Sequence, residues 1–166
     1  MLSPTFVREK GLSEDAGHQA NANGFWPFDR STYTIRRRVC LPSTRQSITD
    51  AVKVILDVAR RCGCASEQEA DLEIALREAL ANAVIHGNEE DENKDVFIRC
   101  YGGSEKTLIL VRDGGAGFEP DEIPDPRGND RVQLDHGRGL FLMRALMDQV
   151  VFRRSGCEVL LFKRWS

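Results

Sequence analysis

Residues 78 to 88 read EALANAVIHGN, the closing stretch of a helical pattern that starts near Ser66 and stops at Gly87. The apolar positions Leu72, Ala75, Leu76, Ala79, Leu80 and Ala83 recur by threes and fours, the period of a helix with one buried face. At about 100° per residue, Glu78 and Asn82 lie one turn apart on a single line, roughly 100 to 130° from the centre of that stripe. Such a line is the edge of the core face, where the wall of a cleft can stand. An Asn oxygen can ligate Mg²⁺ without adding charge, and a carboxylate one turn away can orient or deprotonate a hydroxyl or water. The pair also reads as an ordinary solvated Glu and a helix-edge Asn, so its meaning depends on what else the chain supplies.

Two further segments supply it. Asp113-Gly114-Gly115-Ala116-Gly117-Phe118 directly follows a β-rich run, Thr107 to Arg112. An aspartate at a strand end, followed by glycines, sets a carboxylate acceptor beside backbone that can approach a planar ligand closely; the exocyclic amine of adenine is a suitable donor. A plain β-turn with glycines at positive φ explains the same residues. The second segment, His136-Gly137-Arg138-Gly139-Leu140, leads into a short helical pattern ending at Met147. Gly-x-Gly at a helix N-terminus offers free N–H groups and the positive end of the dipole to phosphate. It lacks the ending of a Walker A loop and the spacing of a dinucleotide fold. Arg138 can pair with phosphate or face water.

Around these motifs the chain alternates regularly. Ser31 to Leu41 predicts a strand closed by Pro42, and its Arg36, Arg37 and Arg38 read as a solvated edge or protein-docking patch. Ser43 with Gln46 predicts a capping box for a helix whose stripe is Ile48, Ala51, Val52, Ile55, Val58, Ala59 and Cys62, stopped by Gly63. Ser66 with Glu69 predicts a second box. Val96 to Tyr101 and Thr107 to Arg112 read as a hairpin turning at Gly102-Gly103, and Gln149 to Arg154 with Cys157 to Arg164 as another turning at Ser155-Gly156. Between Asp113 and about Arg138 runs a proline-containing acidic stretch, long enough to be a functional lid or disordered. Strand, two helices, hairpin, lid, helix and hairpin predict an α+β fold, a two-layer α/β sandwich with a mixed, mostly antiparallel sheet and helices on one face. Residues 1 to 30 have no hydrophobic period and read as an N-terminal arm that Phe25, Trp26 and Phe28 can pin to the domain, which spans 31 to 166.

Composition narrows the function classes. The 166 residues carry 23 Lys plus Arg against 26 Asp plus Glu, a formal net charge of −3 that leaves no overall basic field for coating nucleic acid. No window approaches the roughly 18 apolar residues of a membrane span, and the first twenty residues hold no apolar block like that of a signal peptide. The 5 cysteines stand at 40, 62, 64, 100 and 157, with neither a disulfide framework nor C-x-x-C zinc spacing, and read as buried thiols of a cytoplasmic protein.

In this order, Glu78 and Asn82 on a helix, Asp113-x-Gly-x-Gly after a strand, a long lid and Gly137-x-Gly139 opening a helix resemble the GHKL, or Bergerat, ATP-binding fold of gyrase-type ATPases and histidine-kinase catalytic domains. Within it, residues 35 to 164 look most like the free-standing anti-sigma factor serine/threonine kinases: EALANAVIHGN resembles their N-box, DGGAGF their first glycine box and GRGLFLMRALMDQV their second. The resemblance implies that Asn82 holds one Mg²⁺ bridging the ATP phosphates and that Glu78 is the base for the acceptor hydroxyl. It implies that Asp113 binds the adenine amine while Gly115 and Gly117 keep the base pocket open. Gly137, Arg138, Gly139 and Leu140 would then cradle the phosphates, and His86 and Gly87 line the pocket, although a helix C-cap with a surface His explains those two equally well. One departure stands out, Gly156-Cys157 where the family often has Gly-Thr. The implied activity is phosphorylation of an anti-sigma-factor antagonist by a kinase that also sequesters a sigma factor, with a homodimer as the implied assembly and no direct contact with nucleic acid or membrane. The alternative is a non-catalytic, nucleotide-dependent module that sequesters a regulatory protein, and a third view makes Arg36 to Arg38 a DNA contact.

Overall fold

The computed structural model describes residues 32 to 117 and 135 to 165. The expected arm and most of the expected lid lie outside the described residues. The elements run β1 (Ile35–Pro42), α1 (Arg45–Arg61), α2 (Ser66–Ala81), a π-helical turn (Asn82–Gly87), β2 (Asp95–Gly103), β3 (Lys106–Arg112), α3 (Asp135–Leu146), β4 (Gln149–Arg153) and β5 (Glu158–Arg164). The strands form one sheet in the order β1-β2-β3-β5-β4. All four pairings are antiparallel, so the sheet expected to be mixed and mostly antiparallel is antiparallel throughout these strands.

The helices lie on one face. Alternate residues Val39 and Leu41 of β1, Val96, Ile98 and Cys100 of β2, Ile109 and Val111 of β3, and Val159 and Leu161 of β5 pack with the stripes of α1 and α2 and with Leu140, Met143 and Met147 around α3. Ala51, Ile55, Leu72, Ala75 and Leu76 are wholly buried there. The period-2 and period-3.6 patterns of the sequence therefore meet in a single core, the architecture of the two-layer α/β sandwich. Lys163 fastens the layers at their edge, its Nζ donating to Leu146 O at 2.6 Å and to Asp71 Oδ2 at 3.2 Å.

The helix starts differ from the sequence reading. The N-cap of α1 is Thr44, whose Oγ1 accepts from Ser47 N at 3.1 Å. Ser43 is unavailable because it is buried, with Oγ donating to Lys94 O at 2.8 Å and accepting from Asn88 Nδ2 at 2.7 Å. At α2 the capping residue is Ala65, whose N–H reaches Gln68 Oε1 at 3.4 Å, and Glu69 instead takes Arg60 in a two-pronged pair at 2.6 and 2.9 Å. The stop at Gly63 stands as read, with φ at +86°.

The first hairpin also turns later than expected, at Ser104-Glu105, with Gly102 and Gly103 inside β2. Close packing explains both glycines. A Cβ on Gly102 would overlap Cys62 Sγ and lie 3.1 Å from Val58 Cγ1, while one on Gly103 would lie 2.7 Å from Thr32 O. Without side chains, the end of β2 slides under the C-terminus of α1. Gly102→Ala is expected to destabilise the protein by about 1–3 kcal/mol, the range for overpacking. Urea denaturation of the single variants and of Cys62→Ala/Gly102→Ala should recover part of that loss in the double variant, because removing the sulfur vacates the space.

Candidate active site

The described end of α2 is not a regular helix. From Asn82 to Gly87 the backbone winds as a π-helix, and Asn88 N–H donates to Ala83 O, five residues back, at 2.9 Å. Such a turn carries one residue more than an α-helical one and re-aims the side chains that follow, a common device at functional sites. Here it brings Asn82, Ile85, His86 and Gly87 to the wall of a cavity of about 450 Å³. Val111, Asp113, Ala116 and Gly117 form the opposite wall, with Phe152, Gly156, Cys157 and Val159 from the last hairpin. Ile85, Val111, Phe152 and Val159 make part of this lining apolar, suited to a flat heteroaromatic ring, while Asp113 and Asn82 offer polar atoms.

Asp113 is held from three sides. Its Oδ1 accepts from Gly115 N at 2.8 Å, and its own N–H donates to Cys157 O at 3.0 Å. Gly87 lies directly against the carboxyl group, where a Cβ would come within 2.6 Å of Oδ1 and 2.7 Å of Oδ2. Burial pushes the Asp113 pKa up from its ordinary 3.8, with the bonds from Gly115 and from its own backbone acting in the opposite sense. Cys157 Sγ donates to Gly115 O at 3.2 Å, and burial followed by the Asp113 charge raises its pKa.

The glycines here are places where two backbones touch. A Cβ on Gly115 would overlap Gly87 O, and one on Gly117, at φ +82°, would overlap Ser155 O. Gly139 faces the other way from the cavity, toward α2, where a Cβ would lie 2.6 Å from Glu78 Oε2. Glu78 and Gly139 are therefore neighbours, one turn of α2 away from Asn82.

Of the residues singled out in the sequence, Asn82, His86, Gly87, Asp113 and Gly117 line the cavity, and Gly115 lies behind it against Gly87. Glu78 lies beside it at the α2–α3 contact. Gly137, Arg138, Gly139 and Leu140 are not on the cavity wall. The helix α3 starts at Asp135, ahead of both glycines, so they lie within its first turns; Leu140 is in the core and Arg138 faces solvent.

Sequence reasoning missed the residue that ties the site together, Asn88. Its Nδ2 donates to Ser43 Oγ at 2.7 Å and to Asp95 O at 3.1 Å, and its Oδ1 accepts from Gly114 N at 2.8 Å. Asn88 is fully buried, and one carboxamide joins the start of α1, the start of β2 and the loop after β3. Its signal was its place at the end of EALANAVIHGN, just past the helix-ending glycine.

A family model described as "Histidine kinase-like ATPase domain" matches residues 41–163. The chain belongs to this family. Among curated relatives it is 37% identical over 113 residues to the serine-protein kinase RsbW of Bacillus subtilis (strain 168), covering 64% of this chain and 71% of that one. It is 31% identical over 105 residues to the anti-sigma F factor of Clostridium perfringens (strain SM101 / Type A), 60% of this chain and 75% of the relative. To the RsbW serine-protein kinase of Staphylococcus epidermidis it is 28% identical over 131 residues, 74% of this chain and 82% of that one. Among the described residues no helix is long and apolar enough to cross a membrane.

Two outcomes follow from this geometry. Asn88→Ala should cost about 1–3 kcal/mol for each buried group it orphans, read as a lower urea midpoint. Because burial raises the Asp113 pKa, its contribution to stability is fullest below pH 3.8 and is lost as pH rises through the folded-state value. Asp113→Asn keeps an acceptor for Gly115 N–H without the buried charge. It is expected to melt higher than the wild type at pH 7, with the difference narrowing as pH falls toward 3.8; a gap independent of pH would contradict this.

Proposed function

We propose that this protein is an ATP- and Mg²⁺-dependent protein serine/threonine kinase that acts as an anti-sigma factor and phosphorylates an anti-sigma-factor antagonist. The observation that carries the reading is the convergence of Asn82, Asp113 and Gly117 on one partly apolar cavity, with Glu78 a single helix turn away. Membership of an ATPase-domain family supports the nucleotide, and the printed names of the relatives, serine-protein kinase and anti-sigma F factor, support the kinase and sigma-factor parts.

In this reading the Asp113 carboxylate accepts the exocyclic amine of adenine, between the walls formed by Ile85 and Phe152. The glycines 87, 115 and 117 leave the ring room that any side chain would fill. The N-terminal turns of α3, with Gly137, Arg138, Gly139 and Leu140, direct the positive end of a helix dipole toward the phosphates. Asn82 would hold Mg²⁺, and its carboxamide oxygen fits a hard cation. When bound, Mg²⁺ supplies neutralisation of the phosphate charge. Glu78 takes the proton of a Ser or Thr hydroxyl as its oxygen bonds the γ-phosphorus and ADP leaves; the missing side chain at Gly139 keeps space at that carboxylate. Phosphoryl transfer needs positioning and charge neutralisation more than covalent participation by the protein, and these residues provide positioning.

Labelled ATP, Mg²⁺ and a candidate antagonist protein should give label on Ser or Thr of the antagonist. Glu78→Ala is expected to lower transfer by about 10²-fold or more, the lower end of what a general base contributes, with nucleotide affinity little changed. Asp113→Asn is expected to lose nucleotide binding itself. Tight nucleotide binding without any transfer would favour the non-catalytic binding module, and a Glu78→Ala variant as active as the wild type would sink the assigned role of that residue.

A further inference from the structure

β1 is one of the two edge strands of the sheet. One side of it pairs with β2, and among the described residues no strand pairs with the other, so that side presents a row of backbone N–H and C=O groups. Positive charge collects at the same place. β1, β2 and β3 carry Arg36, Arg37, Arg38, Arg99, Lys106 and Arg112 against Asp95 alone, and Asp95 stands at the far end, opposite Pro42. Arg36, Arg37 and Arg38 are all exposed.

A single charge is enough to keep an edge from pairing with a chance neighbour. This edge carries three in succession, and strand alternation spreads them over both sides: Arg36 and Arg38 share one face of the sheet and Arg37 takes the other. On the first face Arg38 stands directly opposite Arg99. Like charges in a cross-strand pair destabilise a sheet, and among the described residues neither arginine meets an acid. On the second face Arg37 and Arg61, the last residue of α1, line an open groove of about 560 Å³ with Arg36 and Tyr33. Arg61 pairs with Asp57 at 2.9 Å, but with side chains 59% and 53% exposed the pair is worth little. Crowding of this kind is a cost to the free protein that an anionic partner would remove. The edge itself selects the kind of anion. Its carbonyl groups repel a phosphate backbone, whereas a peptide strand answers both its N–H and its C=O groups. A second β1 paired about Arg37 would set arginine against arginine. Pro42, without an N–H, closes the edge at its other end, which leaves residues 35–41 for pairing.

We infer that the free edge of β1 takes an acidic, extended segment of a partner protein as a sixth strand. Its backbone pairs along residues 35–41, and its carboxylates meet Arg36, Arg38 and Arg99 on one side of the sheet and Arg37 and Arg61 on the other. Guanidinium forks suit carboxylates, which they can bind through two parallel hydrogen bonds. None of these arginines lines the cavity beside Asp113, so this docking is separate from the candidate active site.

A fluorescein-labelled peptide of alternating Glu and Val, titrated with the full chain at low ionic strength and read by anisotropy, tests this. The peptide should bind. Arg36→Glu/Arg38→Glu should weaken it by about tenfold or more, the combined effect of several exposed charge pairs, with far-UV circular dichroism unchanged. The milder Arg38→Gln should weaken it several-fold without lowering the urea midpoint, since it also relieves the repulsion from Arg99. The same peptide N-methylated along its central residues keeps its charge but loses its strand donors, and should bind several-fold more weakly than the unmodified one. No binding, binding that ignores the arginine substitutions in folded protein, or equal binding of the methylated peptide would overturn the inference. So would an oligothymidylate that binds more tightly than the peptide and loses that binding in the same variants, which would make the patch a nucleic-acid site. A wild-type dimer that the substitutions dissolve would equally overturn it, by putting a second copy on the edge.

Discussion

The fold and the cavity depend together on one buried carboxamide. An amide removed from water must satisfy its donors and acceptor inside the protein or forfeit their hydration. Asn88 does so by bonding three segments far apart in sequence, at Ser43, Asp95 and Gly114. Those bonds determine where α1 starts, because they remove Ser43 from capping and leave that task to Thr44. They also determine where the chain goes after β3, since Gly114 is the residue next to Asp113. The position of the carboxylate in the cavity is thus linked to the same residue that joins the helical layer to the sheet.

Electrostatics follow a similar division. The formal charge of −3 is a small sum over opposed regions: Glu89 to Asp95 holds five acids and one lysine, Glu119 to Asp130 five acids and one arginine, while Arg36 to Arg45 holds four arginines and no acid. Glu89 itself reaches the cavity wall. Bulk attraction therefore has little to offer an anionic ligand at this cavity. Within the cavity the low polarity that raises the Asp113 pKa also strengthens any hydrogen bond the carboxylate accepts. A cost to the folded state and a strong acceptor are two aspects of the same burial.

Much of this was legible in the sequence, and the exceptions have local causes. Hydrophobic period located every described strand and helix, because core burial enforces it at each turn or alternate residue. Asp113 and Asn82 were found by type and spacing, and both reach the cavity. The two capping boxes were misread because capping depends on which hydroxyl or amide is left free, and Ser43 and Glu69 are occupied by Asn88 and Arg60, partners distant in the chain. Gly102 and Gly103 look like a turn in one dimension; only the approach of Cys62 and Thr32 shows that they serve packing. The start of α3 ahead of Gly137 and Gly139 was likewise hidden, since two glycines in a helix run against intrinsic preference; at Gly139 a Cβ would meet Glu78.

The π-helical turn has a consequence for how such a protein can change. A π turn is an α-helix with one residue too many, so deleting one residue between Asn82 and Gly87 would let the segment relax to regular winding and leave the core stripe upstream, through Leu80, in place. The residues after the turn would keep their register, while those within it, Asn82, Ile85 and His86 among them, would be re-aimed away from the cavity wall. The extra residue thus makes shape and chemistry separable in evolution: a lineage can lose the cavity through a single codon and keep a recognisable helix, whereas gaining it requires an insertion at this one point.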